Sequence, residues 1–416
     1  MSSNTAQAPA AVTAPSGGGP TPSGEQRGLR GLRERLTSGE LGSLPVIIGL
    51  AVTWVVFYLL NANFLSSRNL GNLLLDSAAI GTISIGIVLV LLLGEIDLSV
   101  GSVAGVSAAV FTVGFVSHGW SIGLAMIASL LVGAVIGSFY GMLYTRFGVP
   151  SFVITLAGLL GFLGLQLRVL GAQGSINIPF DSWLVTFCQQ WYLPPTASYV
   201  LVVAVAAISF VMGVQRARRR ASAGLSSTGA TTLAVRSVLL AIALGAAVWY
   251  LNRYRGVGYM FLLFVVLVVV MGFLLRRTRW GRAVYAVGGN VEAARRAGIR
   301  VNRIYLSVFA LASTFAALGG LLLAGRLAAA NQSTGGADTN LNAIAAAVIG
   351  GTSLFGGRGS AYSALLGILV IQSISSGLTL LSLDASVRFM VTGAVLLLAV
   401  IVDSASRRSR TASGRA

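Results

Sequence analysis

Apolar residues occur along this chain in long runs that are separated by short polar segments, many of which contain arginine. A helix that crosses a bilayer needs about 20 apolar residues. Two runs, 96–117 and 341–357, are rich in glycine and serine, and each is either a continuous span or a broken, re-entrant segment, so we expect ten to twelve spans. The predicted fold is an all-α, polytopic transmembrane helical bundle. The candidate spans are 44–61, 69–93, 96–117, 120–144, 151–170, 198–214, 237–252, 258–275, 304–325, 341–357, 360–381 and 387–403.

The two ends of the chain depart from this pattern. Residues 1–43 are rich in Ala, Pro, Ser, Thr and Gly, and such a segment buries too little apolar surface to offset the entropy lost on ordering. We therefore expect a disordered cytoplasmic tail, and not a signal peptide, because the segment has no apolar core. Residues 44–404 are predicted to form the transmembrane domain, and residues 405–416 a basic cytoplasmic tail.

Composition narrows the function classes. Of the 416 residues, 55% are hydrophobic and only 10% are charged, whereas a soluble globular domain has about 25% charged residues. A soluble enzyme is therefore excluded. Cys188 is the only cysteine and His118 the only histidine, which excludes a disulfide scaffold, a histidine-based metal site and a Ser-His-Asp triad. We expect no catalytic residue, no metal ion and no cofactor bound by this chain.

All 29 cationic side chains are arginine, against 11 carboxylates. A basic chain can bind nucleic acid, but these arginines cluster between apolar runs, which favours a role in membrane topology. With the N-terminus in the cytoplasm, 23 arginines fall on the inner side and 6 on the outer side, as the positive-inside rule requires. Both termini are therefore predicted to be cytoplasmic.

The lack of lysine has a separate consequence. A Walker A phosphate loop needs a lysine in the pattern G-x-x-x-x-G-K-[ST]. Because the sequence contains none, the chain is predicted not to hydrolyse ATP through a loop of this kind.

Two carboxylates, Glu95 and Asp97, lie two residues apart between apolar runs, at the predicted inner end of a span. One interpretation is a polar turn in which Asp97 caps the next helix, followed by small residues that allow close helix packing. The other is a break in a helix that lines a transport pathway. Ser99 and Gly101 belong to the same segment.

A short helix is predicted in the cytoplasmic segment Trp280–Ile299. Asn290 is a good N-cap, Glu292 in the first turn and Arg295 in the last turn suit the helix dipole, and Gly298 suits the C-terminal stop. Two turns are too short to be stable alone in water. The segment is therefore interpreted as a docking helix for a partner; a solvated connector is the alternative, although a loop this long without a role would be unusual.

The third segment, Ala345–Ser360, is dense in glycine and includes Gly350, Gly351 and Thr352. A phosphate-binding loop is a weak interpretation without lysine. Close helix packing, or unwound backbone at a cavity, is favoured. A long outer loop, 171–197, carries aromatic residues that fit either an interfacial belt or a docking surface for an outside partner, and both interpretations stay open.

Together the three segments resemble the permease subunits of bacterial ABC importers for monosaccharides, the ribose and xylose group. The matching text is G-E-I-D-L-S-V-G-S at Gly94–Ser102, Y-A-V-G-G-N-V-E-A-A-R-R-A-G at Tyr285–Gly298, and A-I-A-A-A-V-I-G-G-T-S-L-F-G-G-R-G at Ala343–Gly359. The similarity extends over about residues 44–404. Glu95 departs from it, since the family commonly has glycine there, and so does the N-terminal tail.

This resemblance implies that transport is shared among several protein subunits. Two permease subunits would form the path between them, a separate sugar-binding protein would deliver the monosaccharide from outside, and a separate ATPase, which uses the ATP, would grip the Asn290–Gly298 helix from inside. The chain would be a multi-pass protein of the bacterial inner membrane that does no bond chemistry. The Arg216–Arg220 run and the Tyr254–Gly256 loop resemble the xylose branch. The residues assigned to ATPase coupling are Gly289, Asn290, Glu292, Ala293, Arg295 and Gly298, and those assigned to the pathway or helix break are Glu95, Asp97, Ser99, Gly101, Gly350, Gly351 and Thr352.

Two other functions stay open at this stage. An ion-coupled secondary sugar transporter would suit a count near twelve spans and the Glu95–Asp97 pair, but proton relays generally use several embedded acids. A scaffold protein with a lipid-binding Arg216–Arg220 run is the other, since an arginine cluster beside a span attracts anionic lipid. The remaining polar residues near outer helix ends are predicted to be caps or loop residues. They are Asp76, Asn331, Gln332 and Asp338.

Overall fold

The computed structural model describes residues 44–227, 229–387, 389–395, 397–398 and 401. The two predicted tails, 1–43 and 405–416, lie outside these residues. The described chain is almost entirely helical, with one short two-stranded ribbon, as the long apolar runs predict. In chain order the elements are α1 (Leu44–Leu60), α2 (Ser67–Leu92), α3 (Val100–Thr112, extended by a π-helical turn over Val113–Ser117), α4 (Ile122–Phe147), α5 (Ser151–Leu170), β1 (Ser175–Asn177), α6 (Trp183–Gln189), α7 (Pro195–Ser222), α8 (Ala230–Leu251), α9 (Tyr259–Arg277), α10 (Arg279–Gly289), α11 (Val291–Arg296), α12 (Val301–Leu327), β2 (Ala329–Asn331), α13 (Ala337–Ile349) and α14 (Ala361–Leu380).

Nine helices within the described residues are long and apolar enough to cross a membrane: α2, α3 with its extension, α4, α5, α7, α8, α9, α12 and α14. The all-α polytopic bundle is therefore confirmed. Two shorter apolar helices, α1 and Ala385–Val395, accompany them. The predicted count of ten to twelve is reached if at least one of these shorter helices also crosses the membrane.

Helix α12 lies at the centre of the bundle and packs against α2, α3 and α4. Glycines make these contacts close. A Cβ on Gly137 of α4 would collide with the main chain of α12 at Phe309, and a Cβ on Gly320 of α12 would collide with the main chain of α3 at Ala104. Small residues allow such approaches where apolar helices gain little from leaving lipid. Main-chain contacts therefore fill the centre of the bundle at this level.

The central helices belong to two units of the same design. In the first, α2 is followed by the non-helical segment Leu93–Ser99 and then by α3; in the second, α12 is followed by Ala328–Gly336, which includes β2, and then by α13. The short helices α3 and α13 begin side by side, since a Cβ on Gly101 would meet the carbonyl oxygen of Gly335. From there α3 runs to β1, whereas α13 ends against the first turn of α14 at Ser363. Two broken helices thus start at one point and run in opposite directions, an arrangement found in transporters with inverted repeats.

The structure decides how the two glycine-rich runs are built. A continuous span over 341–357 is wrong, because α13 ends at Ile349 and the glycines after it form a loop. Gly351 has a φ of 97°, which a helix cannot accommodate. Over 96–117 the helix begins only at Val100. The run 341–357 is therefore broken, whereas 96–117 is helical from Val100 to Ser117 and is long enough to span.

The end of the bundle that carries β1 and β2, here called the ribbon end, is held by side-chain contacts. Helix α6 packs on α12, and Gln189 Nε2 donates to the carbonyl oxygens of Gly325 and Arg326 at 3.1 and 3.0 Å. Arg326 Nε donates to Asp76 Oδ1 at 2.8 Å. The prediction that Asp76 is a cap or loop residue is wrong: it lies in the third turn of α2 and pairs with the end of α12.

Helices α7 and α8 form a hairpin on the outside of the bundle. They pack mainly on each other, and α8 also contacts α2. Most of their side chains are exposed, including large apolar ones such as Val203 and Ile242. An apolar surface of this extent, on helices long enough to span, indicates contact with lipid.

Candidate functional site

The segment predicted to dock a partner forms two consecutive helices. The N-cap of α10 is Thr278, whose side chain accepts a hydrogen bond from the main chain of the first turn at 3.0 Å. Helix α10 is amphipathic, and Val284 and Val287 on its inner face are fully buried. Trp280 Nε1 donates to Ser307 Oγ of α12 at 2.9 Å. Helix α10 is therefore fixed against the end of the bundle opposite the ribbon.

The predicted short helix is α11, and its ends are formed as the sequence predicts. Asn290 Oδ1 accepts from the main-chain N–H of Ala293 at 2.8 Å. Gly298 follows the helix with a φ of 80°, the left-handed conformation that commonly ends helices. Glu292 and Arg295 form an ion pair at 2.7 Å, and their side chains are 64% and 58% exposed. An exposed pair of this kind stabilises a helix little. Because both side chains are mostly exposed, they are available to a partner.

Main-chain atoms of three distant segments meet beside the last turn of α10. Gly357 N donates to the carbonyl oxygen of Leu92 at 2.9 Å. A Cβ on Gly288 would collide with the same oxygen, and a Cβ on Gly356 would lie 2.9 Å from Gly94 N. We call this contact the inner junction. Its members are Leu92–Gly94, Gly288–Gly289 and Gly356–Gly357.

The inner junction joins the three segments that the sequence singles out. We call the non-helical segments Leu93–Ser99 and Ala328–Gly336 the first and the second break. Helix α10 contacts the end of α2, where the first break begins. It also contacts the loop between α13 and α14, which follows the second broken unit. Tyr285 OH donates to the Gly359 carbonyl oxygen at 2.8 Å and ties α10 to the same loop. Burial raises the pKa of Tyr285, which keeps this hydroxyl protonated as a donor. A displacement of α10 would therefore act on both broken units.

The first break is held by side chains from α4 and α5. The Glu95 carboxylate accepts from Tyr144 OH at 2.6 Å and from Ser151 Oγ at 2.5 Å. Asp97 Oδ1 accepts from both N and Oγ of Ser99 at 2.8 Å, while its other oxygen is buried without a partner among the described residues. Because Ser99 is itself the N-cap of α3, Asp97 shapes the turn before the helix and does not cap it.

The second break is held by α5 and linked to the first. Gln166 Nε2 donates to the carbonyl oxygens of Asn331 and Thr334 at 2.9 Å each. Asn331 is the last residue of β2 and pairs with Ser175, so its prediction as a loop residue is wrong. Its Oδ1 accepts from the main-chain N–H of Ser333 at 3.0 Å. Asn340 Nδ2 of α13 donates to the carbonyl oxygen of Leu98 in the first break at 2.6 Å. Helix α5 therefore contacts both breaks.

Comparison with known proteins identifies the class to which this arrangement belongs. The family described as branched-chain amino acid transport system / permease component matches residues 69–400. The chain is 39% identical to the xylose transport system permease protein of Escherichia coli K12 over 364 residues, which are 87% of this chain and 90% of that protein. The chain belongs to this permease family. The permease is also 35% identical to the xylose transport system permease protein of Haemophilus influenzae over 376 residues, 90% of this chain and 99% of that protein.

The ribose relatives extend the same picture. The permease is 33% identical to the ribose import permease protein of Bacillus subtilis over 365 residues, 88% of this chain and 94% of that protein. No solved structure matches the permease. It is a multi-pass subunit of an ABC importer of the ribose and xylose type in the bacterial inner membrane, and a transport subunit, not an enzyme. Membership implies an ATP-binding subunit and a substrate-binding protein as partners. It decides against the ion-coupled secondary transporter and the scaffold.

The permease brings some of its predicted site residues together and separates others. The six residues assigned to ATPase coupling all lie on the exposed surface formed by the end of α10 and by α11. Of the seven assigned to the pathway or helix break, three lie at the first break, Gly101 lies in the first turn of α3, and three lie in the loop after α13. Most of them are buried, so they do not form one open surface. Gly350 and Gly351 line a cavity of about 380 Å³ with Arg276 and Tyr362. A role for these residues in the path stays a prediction.

Three contacts of the site were not predicted from the sequence. Gln166 and Asn340 are buried polar residues in apolar helices, and such a residue implies a buried partner. Their position in apolar helices therefore indicates that each has a hydrogen-bond partner, although not which one. The partners themselves are main-chain carbonyls of distant segments, which leave no side-chain pattern in the sequence. Tyr285 lay inside the recognised segment without an assigned role.

Proposed function

We propose that this permease carries xylose along a path that is opened and closed by a separate ATPase bound to α11. The relatives named as xylose permeases are 39% and 35% identical to the chain, and the ribose relative is 33% identical. The Arg216–Arg220 run and the Tyr254–Gly256 loop support the xylose branch. In this proposal the partner subunit uses the ATP, and the permease itself binds no cofactor.

The inner junction is the observation that carries the coupling proposal. Helix α11 exposes its charged side chains to a partner, and α10 is joined to it directly through Asn290. A push on α11 moves α10 against the end of α2 and against the 356–357 loop. Glycine contacts have no flexible side chain that could absorb the movement, because close-packed main chain transmits strain. The push changes the path only if the ATPase binds one of the two arrangements more tightly.

We propose that α10, α11 and both termini lie in the cytoplasm. The split of 23 inner and 6 outer arginines supports this orientation. The arginine-rich turn between α7 and α8 lies at the same end of the bundle as α10. The opposite end of α8 lies beside the start of α2, because the Leu251 carbonyl oxygen accepts from Ser67 Oγ at 3.3 Å. Ser67 begins α2, and the other end of that helix, Leu92, belongs to the inner junction.

A second copy of the permease completes the path in this proposal. Glycine contacts fill the centre of the described bundle, so a sugar does not fit between α12 and its neighbours there. One side of α5 contacts both breaks through Ser151 and Gln166, and the other side exposes apolar residues such as Leu156 and Leu160. The α5 faces of two copies would enclose a path next to both breaks.

The ribbon end suits an outside partner, and the proposal assigns the sugar-binding protein to it. Trp183 and Trp191 are 45% and 42% exposed and lie edge to face, with ring centres 6.0 Å apart. The Arg255 guanidinium lies 5.6 Å from the ring centre of Tyr192. Exposed aromatic rings and arginine are typical of protein interfaces. Membrane lipid covers the apolar outer faces of the spanning helices.

Reconstitution in proteoliposomes tests the proposed function. The full chain is combined with the ATPase and sugar-binding protein of the same organism, and uptake of labelled xylose and ribose is measured with and without ATP. We expect xylose to accumulate only when all three proteins and ATP are present. Accumulation by the permease alone, without nucleotide, would contradict ATP-driven coupling. Uptake of ribose but not xylose would contradict the proposed sugar and leave the coupling intact.

A further inference from the structure

The α7–α8 hairpin carries a pocket at the end of the bundle that holds α10. The pocket has a volume of about 370 Å³. Arg220 Nε donates to the Ser226 carbonyl oxygen at 2.9 Å, which closes the pocket on the side of the turn. We call it the arginine pocket. Its lining residues are Gly213, Arg216, Ala217, Arg220, Ser226, Ser227, Leu233 and Arg236.

Within the part of the chain that the structure describes, no carboxylate pairs with the arginines of the arginine pocket. The sequence contains no carboxylate between Asp181 and Glu292. Both ion pairs found within the described residues lie elsewhere, one on α11 and one at the ribbon end. Three guanidinium groups around one cavity repel one another unless an anion lies between them. Their planar donor groups match the oxygens of a phosphate, which they bind with two parallel hydrogen bonds.

The surroundings of the arginine pocket are apolar and face away from the rest of the permease. Val211, Met212, Val235 and Leu239 are each half or more exposed on the same hairpin, and Leu225 in the turn is 57% exposed. Helix α7 has 28 residues, a length of about 42 Å, against about 30 Å for the hydrocarbon core. Its arginines therefore fall where the core gives way to lipid headgroups.

We propose that the arginine pocket binds the phosphate headgroup of an anionic phospholipid from the leaflet on the α10 side. Basic pockets at the edge of spanning helices bind such headgroups. The exposed apolar side chains around the pocket favour a lipid over free phosphate, because they provide a surface for acyl chains next to the charged headgroup. The proposal is independent of the sugar and of ATPase coupling, since the pocket shares no residue with the inner junction or with α11.

Lipid binding to the purified full-length chain tests this proposal. Native mass spectrometry and thermal unfolding are recorded in detergent with phosphatidylglycerol, with zwitterionic phosphatidylcholine, or with inorganic phosphate. We expect phosphatidylglycerol to be retained and to raise the unfolding temperature, and the double variant Arg216→Gln/Arg236→Gln to lose at least about tenfold in affinity. The matched control, Arg218→Gln/Arg219→Gln, removes the same charge from residues that do not line the pocket. It should bind within about twofold of the parent.

The alternatives give different results. Equal weakening in both variants would show that charge alone attracts lipid and would overturn the pocket. Phosphatidylcholine binding as tightly as phosphatidylglycerol would overturn the headgroup assignment. Displacement of the lipid by inorganic phosphate at low millimolar concentration would assign the site to soluble phosphate instead. Arg216→Lys/Arg236→Lys keeps the charge without the planar fork, and unchanged affinity in that variant would contradict bidentate binding.

Discussion

Two adjacent glycines at the inner junction have different surroundings, although both end the same helix. A Cβ on Gly288 would collide with the carbonyl oxygen of Leu92 and approach Gly357 N, whereas a Cβ on Gly289 would meet nothing within 4 Å. Neither residue has a positive φ. Alanine therefore differs at the two positions only in what it contacts. This pair separates the junction from the general effect of a substitution in α10.

At the residue scale, we expect Gly288→Ala to force α10 away from α2 and from the 356–357 loop. Overpacking of this kind typically costs about 1–3 kcal/mol. ATP-driven uptake in the reconstituted system should fall at least about tenfold for Gly288→Ala. It should fall less for Gly289→Ala, which adds a methyl group to the predicted coupling surface but contacts nothing within 4 Å. Membrane abundance and the unfolding temperature of both variants are measured beside uptake. Normal uptake by a well-folded Gly288→Ala permease would show that this contact does not transmit the movement.

Single residues differ in how far the sequence reveals their role. Asn290 as the N-cap of α11 and Gly298 as its C-terminal stop were predicted correctly, because a cap bonds to main chain only a few residues away. Asp97 was assigned to the right turn but to the wrong hydrogen bond. The ion pair of Asp76 with Arg326 joins residues 250 positions apart. No local pattern identifies such a partner.

At the element scale, α11 is the exposed part of the segment that we propose binds the ATPase. Its ion pair can form within the helix alone, so a substitution must distinguish helix stability from recognition by a partner. We expect Glu292→Arg to reduce ATP-driven uptake at least about tenfold, because like charges at an interface cost several kcal/mol. Binding of the ATPase to the permease is measured in parallel by co-purification.

The charge-swapped variant Glu292→Arg/Arg295→Glu serves as the control for that prediction. It restores an ion pair within α11 but presents the charges to a partner in reversed order. Uptake should remain low if the ATPase reads these side chains. Recovery of uptake in the swapped variant would show that the pair acts only inside the helix.

Long elements were easier to predict than their interruptions. A span of α4 or α12 shows a continuous apolar run, and both were found with ends shifted by a few residues. The glycine-rich runs have the composition of a span, so the sequence alone did not decide between a continuous helix and a broken one. Strands β1 and β2, of three residues each, were missed entirely. Their geometry comes from pairing with a distant segment, not from a period of their own.

At the scale of the whole molecule, the proposed path depends on a second copy that meets the first through α5. The chain is well suited to a cross-linking test, because Cys188 is its only cysteine. Burial raises the pKa of this thiol to about 12. At pH 8 it is therefore almost fully protonated, and thiol reagents, which need the thiolate, reach it slowly.

We expect Leu160→Cys to form a disulfide-linked dimer under mild oxidation in membranes. Ile208→Cys on α7, a position of similar exposure on the lipid-facing hairpin, should remain monomeric. The products are separated by non-reducing gel electrophoresis, with the parent chain as the blank for Cys188. A dimer formed through Ile208→Cys but not through Leu160→Cys would move the subunit interface to the hairpin.

The inner junction and α11 have one further consequence for how such a permease is matched to its ATPase. In the proposed mechanism, recognition depends on exposed side chains of a six-residue helix, whereas transmission depends on main-chain atoms of glycines that lie behind it. The two tasks share almost no atoms. Grafting this short surface helix alone would thus change which ATPase the permease binds. The contacts that pass movement to the spanning helices would stay unaltered.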